Sequence, residues 1–194
     1  MADTAFVPSA SAPLPSGRQD ILLRSFQPGD EKAFRALNEQ WIAKFFRIED
    51  KDRETLGDPV GKILNNGGHI FMACDAERPV GTCALIALEP EIFEIARMPD
   101  GVYEVAGKRA PGVYEVAKMA VEESHRGAGI GRAVLEYAIA EAARLGAHRL
   151  YLETNDRLVN AIHLYESVGF RHLDPRRVKP SPYARANVFM EMLL

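Results

Sequence analysis

Seven consecutive residues, Arg126-Gly127-Ala128-Gly129-Ile130-Gly131-Arg132, carry a clear chemical signal. They follow an apolar run and precede Ile130, Ala133, Val134, Tyr137, Ala138 and Leu145, whose spacing predicts an amphipathic helix. A glycine-rich turn that leaves a strand and opens a helix gathers unpaired backbone N–H groups and the positive end of the helix dipole in one place. That place suits a phosphate. Gly127, Gly129 and Gly131 let the backbone approach an anion closely, and Arg126 and Arg132 can add charge-assisted hydrogen bonds. Two nucleotide loops do not match. No Gly-Lys-Ser/Thr ending closes the run, and a dinucleotide fingerprint would need glycine at Arg132. A tight helix start with no ligand uses the same glycines, so the run alone does not decide. His125, His148, His163 and His172 lack the spacing of a zinc site and there is no His-Glu-x-x-His, so no metal is expected.

The elements that must position this turn follow from periodicity. Ile21 to Phe26 reads as a strand closed by Pro28-Gly29-Asp30, with Asp30 as N-cap of a helix carrying Ala33, Phe34, Leu37, Trp41 and Phe45. Asp50 to Leu64 reads as short helical turns before Asn65-Asn66-Gly67-Gly68. Ile70 to Cys74 and Val80 to Leu88 are strand-like, joined by a hairpin loop from Asp75 to Pro79. Gly101-Val102-Tyr103-Glu104-Val105-Ala106 recurs eleven residues later as Gly112-Val113-Tyr114-Glu115-Val116-Ala117. The second copy is expected to be the core strand because it runs into Lys118-Met119-Ala120-Val121; the first lies in a duplicated insert, 98–111. Arg149 to Thr154 is the next strand. Ala161, Leu164, Tyr165 and Val168 mark a helix stopped by Gly169, and Asn187 to Leu194 is a final strand. Alternating strands and helices imply an α/β (α+β) fold, a mixed sheet covered by helices on both faces.

A strand leading into Arg126-Gly-x-Gly-x-Gly131, followed by Asn160-Ala161-Ile162-His163-Leu164-Tyr165 and a helix ending in Gly169-Phe170, resembles the GNAT superfamily of acetyl-CoA-dependent N-acetyltransferases. The resemblance implies a splayed sheet in which the strand from Val113 to Glu123 carries a bulge and parts from the strand at Arg149 to Asn155, leaving a gap for the pantothenate arm of acetyl-CoA. It implies that Met119, Ala120 and Val121 hold that arm and the thioester carbonyl. Arg126, Gly127, Ala128, Gly129, Ile130, Gly131 and Arg132 would wrap the pyrophosphate, Asn160 would contact the cofactor, and Tyr165 would give a proton to the departing sulfur.

Acyl transfer to an amine needs a group that removes a proton, since amines are protonated at neutral pH. Glu115 is the candidate. By period-two alternation it shares a face with Ala117, Met119 and Val121 unless the bulge intervenes, and a partly dry cleft would raise its proton affinity. A solvent-facing strand glutamate is the alternative, and Glu104, its duplicate, is a rival. A main-chain N–H near Met119 or Ala120 would stabilise the oxyanion. Tyr165 can protonate a thiolate, or simply pack on the apolar stripe. Trp41, Phe45 and Phe46 either line an acceptor pocket or belong to the core. Arg171, Arg176, Arg177, Lys179 and Arg185 are expected to form a solvated surface cluster, with a grip on a substrate carboxylate or on the adenosine phosphate of CoA as the alternative, and Glu122 and Glu123 are expected to be solvated.

Composition bounds these readings. The chain has 194 residues, 47% hydrophobic and 26% charged, enough for one domain, 20–194, behind a flexible tail, 1–19, rich in Ala, Ser and Pro. With 24 Lys and Arg against 27 Asp and Glu, no global attraction to nucleic acid or membrane is expected. No apolar run is long enough to span a bilayer, the start does not read as a secretory signal, and Cys74 and Cys83 read as buried thiols, so the expected location is cytoplasmic. The expected partner is a small-molecule amine, with a homodimer through the insert or the final strand as a possibility. A protein or peptide amine as acceptor, and a sensor that binds acyl-CoA without turnover, remain alternatives on the same fold.

Overall fold

The structure, a computed structural model, describes residues 21–88 and 112–194. The expected tail, the 98–111 insert, the first copy of the repeat and Glu104 all lie outside them. Seven strands form one sheet in the order β1-β2-β3-β4-β5-β7-β6: β1 Ile21–Ser25, β2 His69–Asp75, β3 Arg78–Ala87, β4 Val113–Val121, β5 Arg149–Thr154, β6 Arg171–His172 and β7 Val188–Leu193. Every neighbouring pair is antiparallel except β4 and β5. The helices are α1 Glu31–Phe45, α2 Asp50–Gly57, α3 Pro59–Lys62, α4 Ile130–Arg144 and α5 Val159–Val168.

Strand alternation splits the core in two. Ile70, Met72 and Cys74 of β2 pack with Phe34, Leu37 and Ile42 of α1. Phe71 and Ala73 of the same strand pack with Val134, Leu135 and Ala138 of α4. Helices therefore cover both faces, as the alternation of elements predicts. The second repeat copy is the core strand β4, and both cysteines are free and buried.

Local signals place most boundaries correctly, with exceptions that have physical reasons. Asp30 precedes α1, but its carboxylate does not cap the helix; it accepts both Arg24 guanidinium nitrogens, at 2.6 and 3.0 Å, and the Gln27 N–H. A buried carboxylate gains more from a bidentate arginine than from a helix N–H. The β2–β3 turn is tighter than expected, Ala76 and Glu77 alone, with Ala76 at φ +52°. The final strand does not present a full open edge: two residues of β6, too short to leave a periodic signal, pair with Glu191 and Met190.

Candidate active site

Strands β4 and β5 pair in parallel for three residues only: Val113 with Arg149, Tyr114 with Leu150 and Glu115 with Tyr151. Both strands continue beyond that point, so they part. The departure begins on the other side of β4. Its register with β3 shifts so that Lys118 and Met119 stand against Cys83 alone, and Lys118 takes a left-handed φ of +49°. A side chain in that region costs about 1–2 kcal/mol, so something must hold it there. Its ammonium does: Lys118 Nζ donates to Asp52 Oδ1 at 2.9 Å and to Tyr183 Oη at 2.8 Å.

The extra residue also reverses the alternation of β4. Tyr114 and Val116 point toward the α4 side, and Met119 and Val121 pack there as well, while Ala120 joins the α1 side. Glu115 and Ala117 therefore face α1, on the opposite side from Met119 and Val121. The shared face that simple alternation predicts is broken by the bulge, the one condition under which it was expected to fail. The parting of the strands joins the two sides again, because a pocket partly open to solvent occupies the gap and is lined by Glu115 and by Tyr165.

Glu115 is half-buried on the pocket lining rather than fully solvent-facing. Burial first, then the charge of Glu153 on β5, pushes its carboxyl up to about 7. Glu153 accepts from Tyr151 Oη at 3.1 Å and from Ser181 Oγ, leaving it without a cationic partner among the described hydrogen bonds. Two carboxylates sharing one partly enclosed site ionise together less readily than in water, which suits Glu115 to take a proton near neutrality. Tyr165 lies on α5 with its ring edge-on to Phe170, centroids 6.0 Å apart. Burial first, then Cys83, holds its hydroxyl above the ordinary tyrosine range, so it stays protonated and able to donate.

Several residues of this pocket come from distant segments that local pattern does not single out. Asp52 of α2 accepts Lys118 and, at 2.6 and 2.9 Å, both terminal nitrogens of Arg185. Arg185 also donates to Glu49 at 3.0 Å and lies 4.5 Å from the centre of the Tyr183 ring. Burial works to raise the Asp52 carboxyl, and the Arg185 and Lys118 bonds overcome it, holding it below the usual range. Arg185 was expected in a solvated cluster; its guanidinium is instead the clamp between the loop before β7 and α2. A lysine inside the apolar run Val116-Ala117-Lys118-Met119 is the one sequence signal that could have found this network. Of the aromatic trio, Trp41 and Phe46 line the pocket. Glu122 and Glu123, expected to be solvated, make ion pairs at the surface, Glu122 with Arg78 at 2.7 Å and Glu123 with Lys44.

The glycine turn sits where the strand ends. Gly127 and Gly129 have φ of +77° and +81°, values that favour glycine, and a Cβ at Gly127 would meet nothing within 4 Å. The first N–H groups of the 15-residue α4 follow directly. Gly131 is close to β4 and α5: a Cβ there would come 3.4 Å from Met119 Cε. Arg126 donates to the Val121 carbonyl at 3.2 Å, and Arg132 reaches Glu136 and Ser167. Asn160 is exposed on the first turn of α5. An open turn of left-handed glycines at a helix start beside parted strands fits a diphosphate carried on an elongated arm. Among the described residues no helix is long and apolar enough to cross a membrane.

Comparison with known proteins agrees with this geometry. The model of the acetyltransferase (GNAT) family matches residues 25–170. The protein described as "Uncharacterized N-acetyltransferase YjgM" of Escherichia coli K12 is 35% identical over 164 residues, spanning 80% of this chain and 85% of that one. A GNAT-family acetyltransferase from Staphylococcus aureus Mu50 superposes with a TM-score of 0.70 at 20% identity, covering 89% of this chain and 98% of that one. A Salmonella typhimurium protein, yncA, solved with its cofactor acetyl-CoA, superposes with a TM-score of 0.63 at 18% identity, covering 90% and 94%. With three-quarters of its length matched by the family model and a splayed sheet of the same fold, this chain belongs to the GNAT acetyltransferase family and is an N-acetyltransferase.

Proposed function

We propose that the chain moves an acetyl group from acetyl-CoA to a primary amine of a small molecule by direct attack, with Glu115 as general base and Tyr165 as general acid. The observation that carries this reading is the placement of a half-buried carboxyl, raised to about 7, and a protonated tyrosine along one pocket at the β4–β5 gap. A base poised near the working pH combines the correct protonation state with driving force for proton transfer. Met119, Ala120 and Val121 would hold the arm of the donor, with a main-chain N–H near Met119 or Ala120 for the oxyanion. The turn Arg126, Gly127, Ala128, Gly129, Ile130, Gly131 and Arg132 would take the diphosphate, and Asn160 the outer part of the coenzyme. When bound, the donor supplies a thioester carbonyl as electrophile. Glu115 accepts the proton the amine loses, and Tyr165 gives its own to the sulfur that departs. A pocket fenced by α1, α2 and the clamped loop at Tyr183 and Arg185 suits a compact acceptor.

The test is a thiol-release assay with acetyl-CoA and a panel of amines, run beside calorimetric titration of acetyl-CoA. Amine-dependent CoA release that falls in Glu115→Gln, with binding retained, supports the reading; release that is indifferent to both Glu115→Gln and Tyr165→Phe removes these roles.

A further inference from the structure

The acceptor pocket holds two kinds of charge, and they are not equally available. Among the described residues that line it, both cations are already paired. Lys118 and Arg185 both bind Asp52, and Arg185 binds Glu49 as well, so two positive groups meet two negative ones within hydrogen-bond distance. Its remaining carboxyls are not matched in this way. Glu153 receives hydrogen bonds from the neutral hydroxyls of Tyr151 and Ser181, and Glu115, on the same lining, feels the charge of Glu153 more than the opposing charge of either Lys118 or Lys51. Arg157, 5.6 Å from the Phe46 ring, is exposed and does not line the pocket.

The wall opposite is aromatic. Trp41 and Phe46, with ring centroids 6.2 Å apart, are only half-buried although they lie on the lining. Half-buried aromatic rings at the edge of a pocket have apolar area left to cover, and they attract a cation over their faces. The Tyr183 hydroxyl adds a directional group. It accepts from Lys118, whose ammonium can only donate, so its own proton is left to point at an acceptor within the pocket.

We infer that the acceptor is an arylalkyl or similarly apolar primary amine with no carboxylate beside its nitrogen, selected by the unmatched Glu115–Glu153 pair and the Trp41–Phe46 wall. This rests on the acyl-transfer reading above. An α-amino acid would place its carboxylate against a pair of acidic groups with no free cation among the described lining residues to receive it, and like charges brought together in a partly enclosed site are disfavoured. An amine whose neighbouring group is neutral meets no such repulsion.

The test measures CoA release by the full chain with 2-phenylethylamine, phenylalaninamide, phenylalanine, ethanolamine and a short peptide with a free N-terminal alanine, each rate corrected for the fraction of free amine. Phenylalanine is expected to have a kcat/KM about 100-fold below phenylalaninamide, the scale set by like-charge juxtaposition across a binding surface. Ethanolamine, which lacks the aromatic body, should fall at least about tenfold below 2-phenylethylamine. Glu153→Gln should narrow the phenylalanine gap, and Trp41→Ala should raise KM for 2-phenylethylamine with less change in kcat. Equal turnover of phenylalanine and its amide, or preference for the peptide or ethanolamine, overturns the acceptor assignment and leaves acyl transfer standing. No release with any amine while acetyl-CoA still binds overturns acyl transfer itself and the assignment with it.

Discussion

Lys118 and Asp52, 66 residues apart in the chain, meet at 2.9 Å with 5% and 0% of their side chains exposed. The pair fastens α2 to the bulge of β4, and the bulge is what turns Glu115 and Met119 to opposite faces of the sheet at the mouth of the β4–β5 gap. A surface salt bridge would contribute little; this one is buried, so the loss of one partner strands a charge.

Replacing Lys118 with methionine should therefore lower unfolding free energy by about 3 kcal/mol, the lower end of the cost of breaking a buried pair, because Arg185 still covers Asp52. Urea denaturation of the two proteins measures it. The same variant relieves none of the strain at φ +49°, so no compensating gain is expected. An unchanged midpoint would mean that the network does not hold the bulge.

Glu115→Gln should reduce kcat by about 100-fold or more, the usual weight of a general base. The pH profile gives the more specific signature. With the carboxyl raised to about 7, the base form is present above that pH and lost below it, so kcat/KM of the parent protein rises through pH 7. Once rates are corrected for the fraction of free amine, that limb should vanish in the glutamine variant. Wild-type activity that stays flat from pH 6 to 8 would contradict it.

The same raised carboxyl predicts a stability trend of opposite sign to that of an ion-paired acid. Between its ordinary value of 4.5 and about 7 the folded protein holds a proton that the unfolded chain releases, so this group makes stability fall as pH rises across that window. Glu115→Gln should flatten the slope, as read by melting temperature at closely spaced pH values in the same buffer series. A steeper slope in the variant would assign the titration to another group.

Tyr165→Phe should lower kcat by about 100-fold, on the scale of a lost general acid, with little change in acetyl-CoA affinity. The ring contact with Phe170 survives the substitution, which keeps the fold intact. Because burial holds the hydroxyl above its ordinary range, no alkaline limb from this tyrosine is expected below pH 10. Single-turnover measurements separate the chemical step from product release.

Gly129→Val places a branched side chain at φ +81°, at a strain of about 1–2 kcal/mol, and crowds the turn at the start of α4. Acetyl-CoA binding by calorimetry should weaken by at least about tenfold, on the scale of the strain added. Gly146→Val, also in a left-handed conformation but at the far end of the same helix, is the control for strain without loss of binding.

What the amino-acid sequence determined by itself was local. The glycine turn, the 3.6-residue period of α4 and α5, the choice of the second repeat copy as β4 and the boundaries of β5 all follow from residues close together in the chain, because helix and strand faces are set by neighbours a few positions away. The resemblance to the family rested on the same short segments. Tertiary structure alone decided the rest of the pocket. Asp52, Glu153, Tyr183 and Arg185 lie tens of residues from Lys118 and Glu115, and no local period reports that a loop before β7 will be clamped to α2. Arg185 has the ordinary sequence signature of a solvated arginine, and only burial beside Asp52 and Glu49 makes it a clamp. The direction of Glu115 depended on a single extra residue in β4. A bulge reverses every side chain beyond it, and its place was fixed by pairing with β3 and by a lysine held from a distant helix.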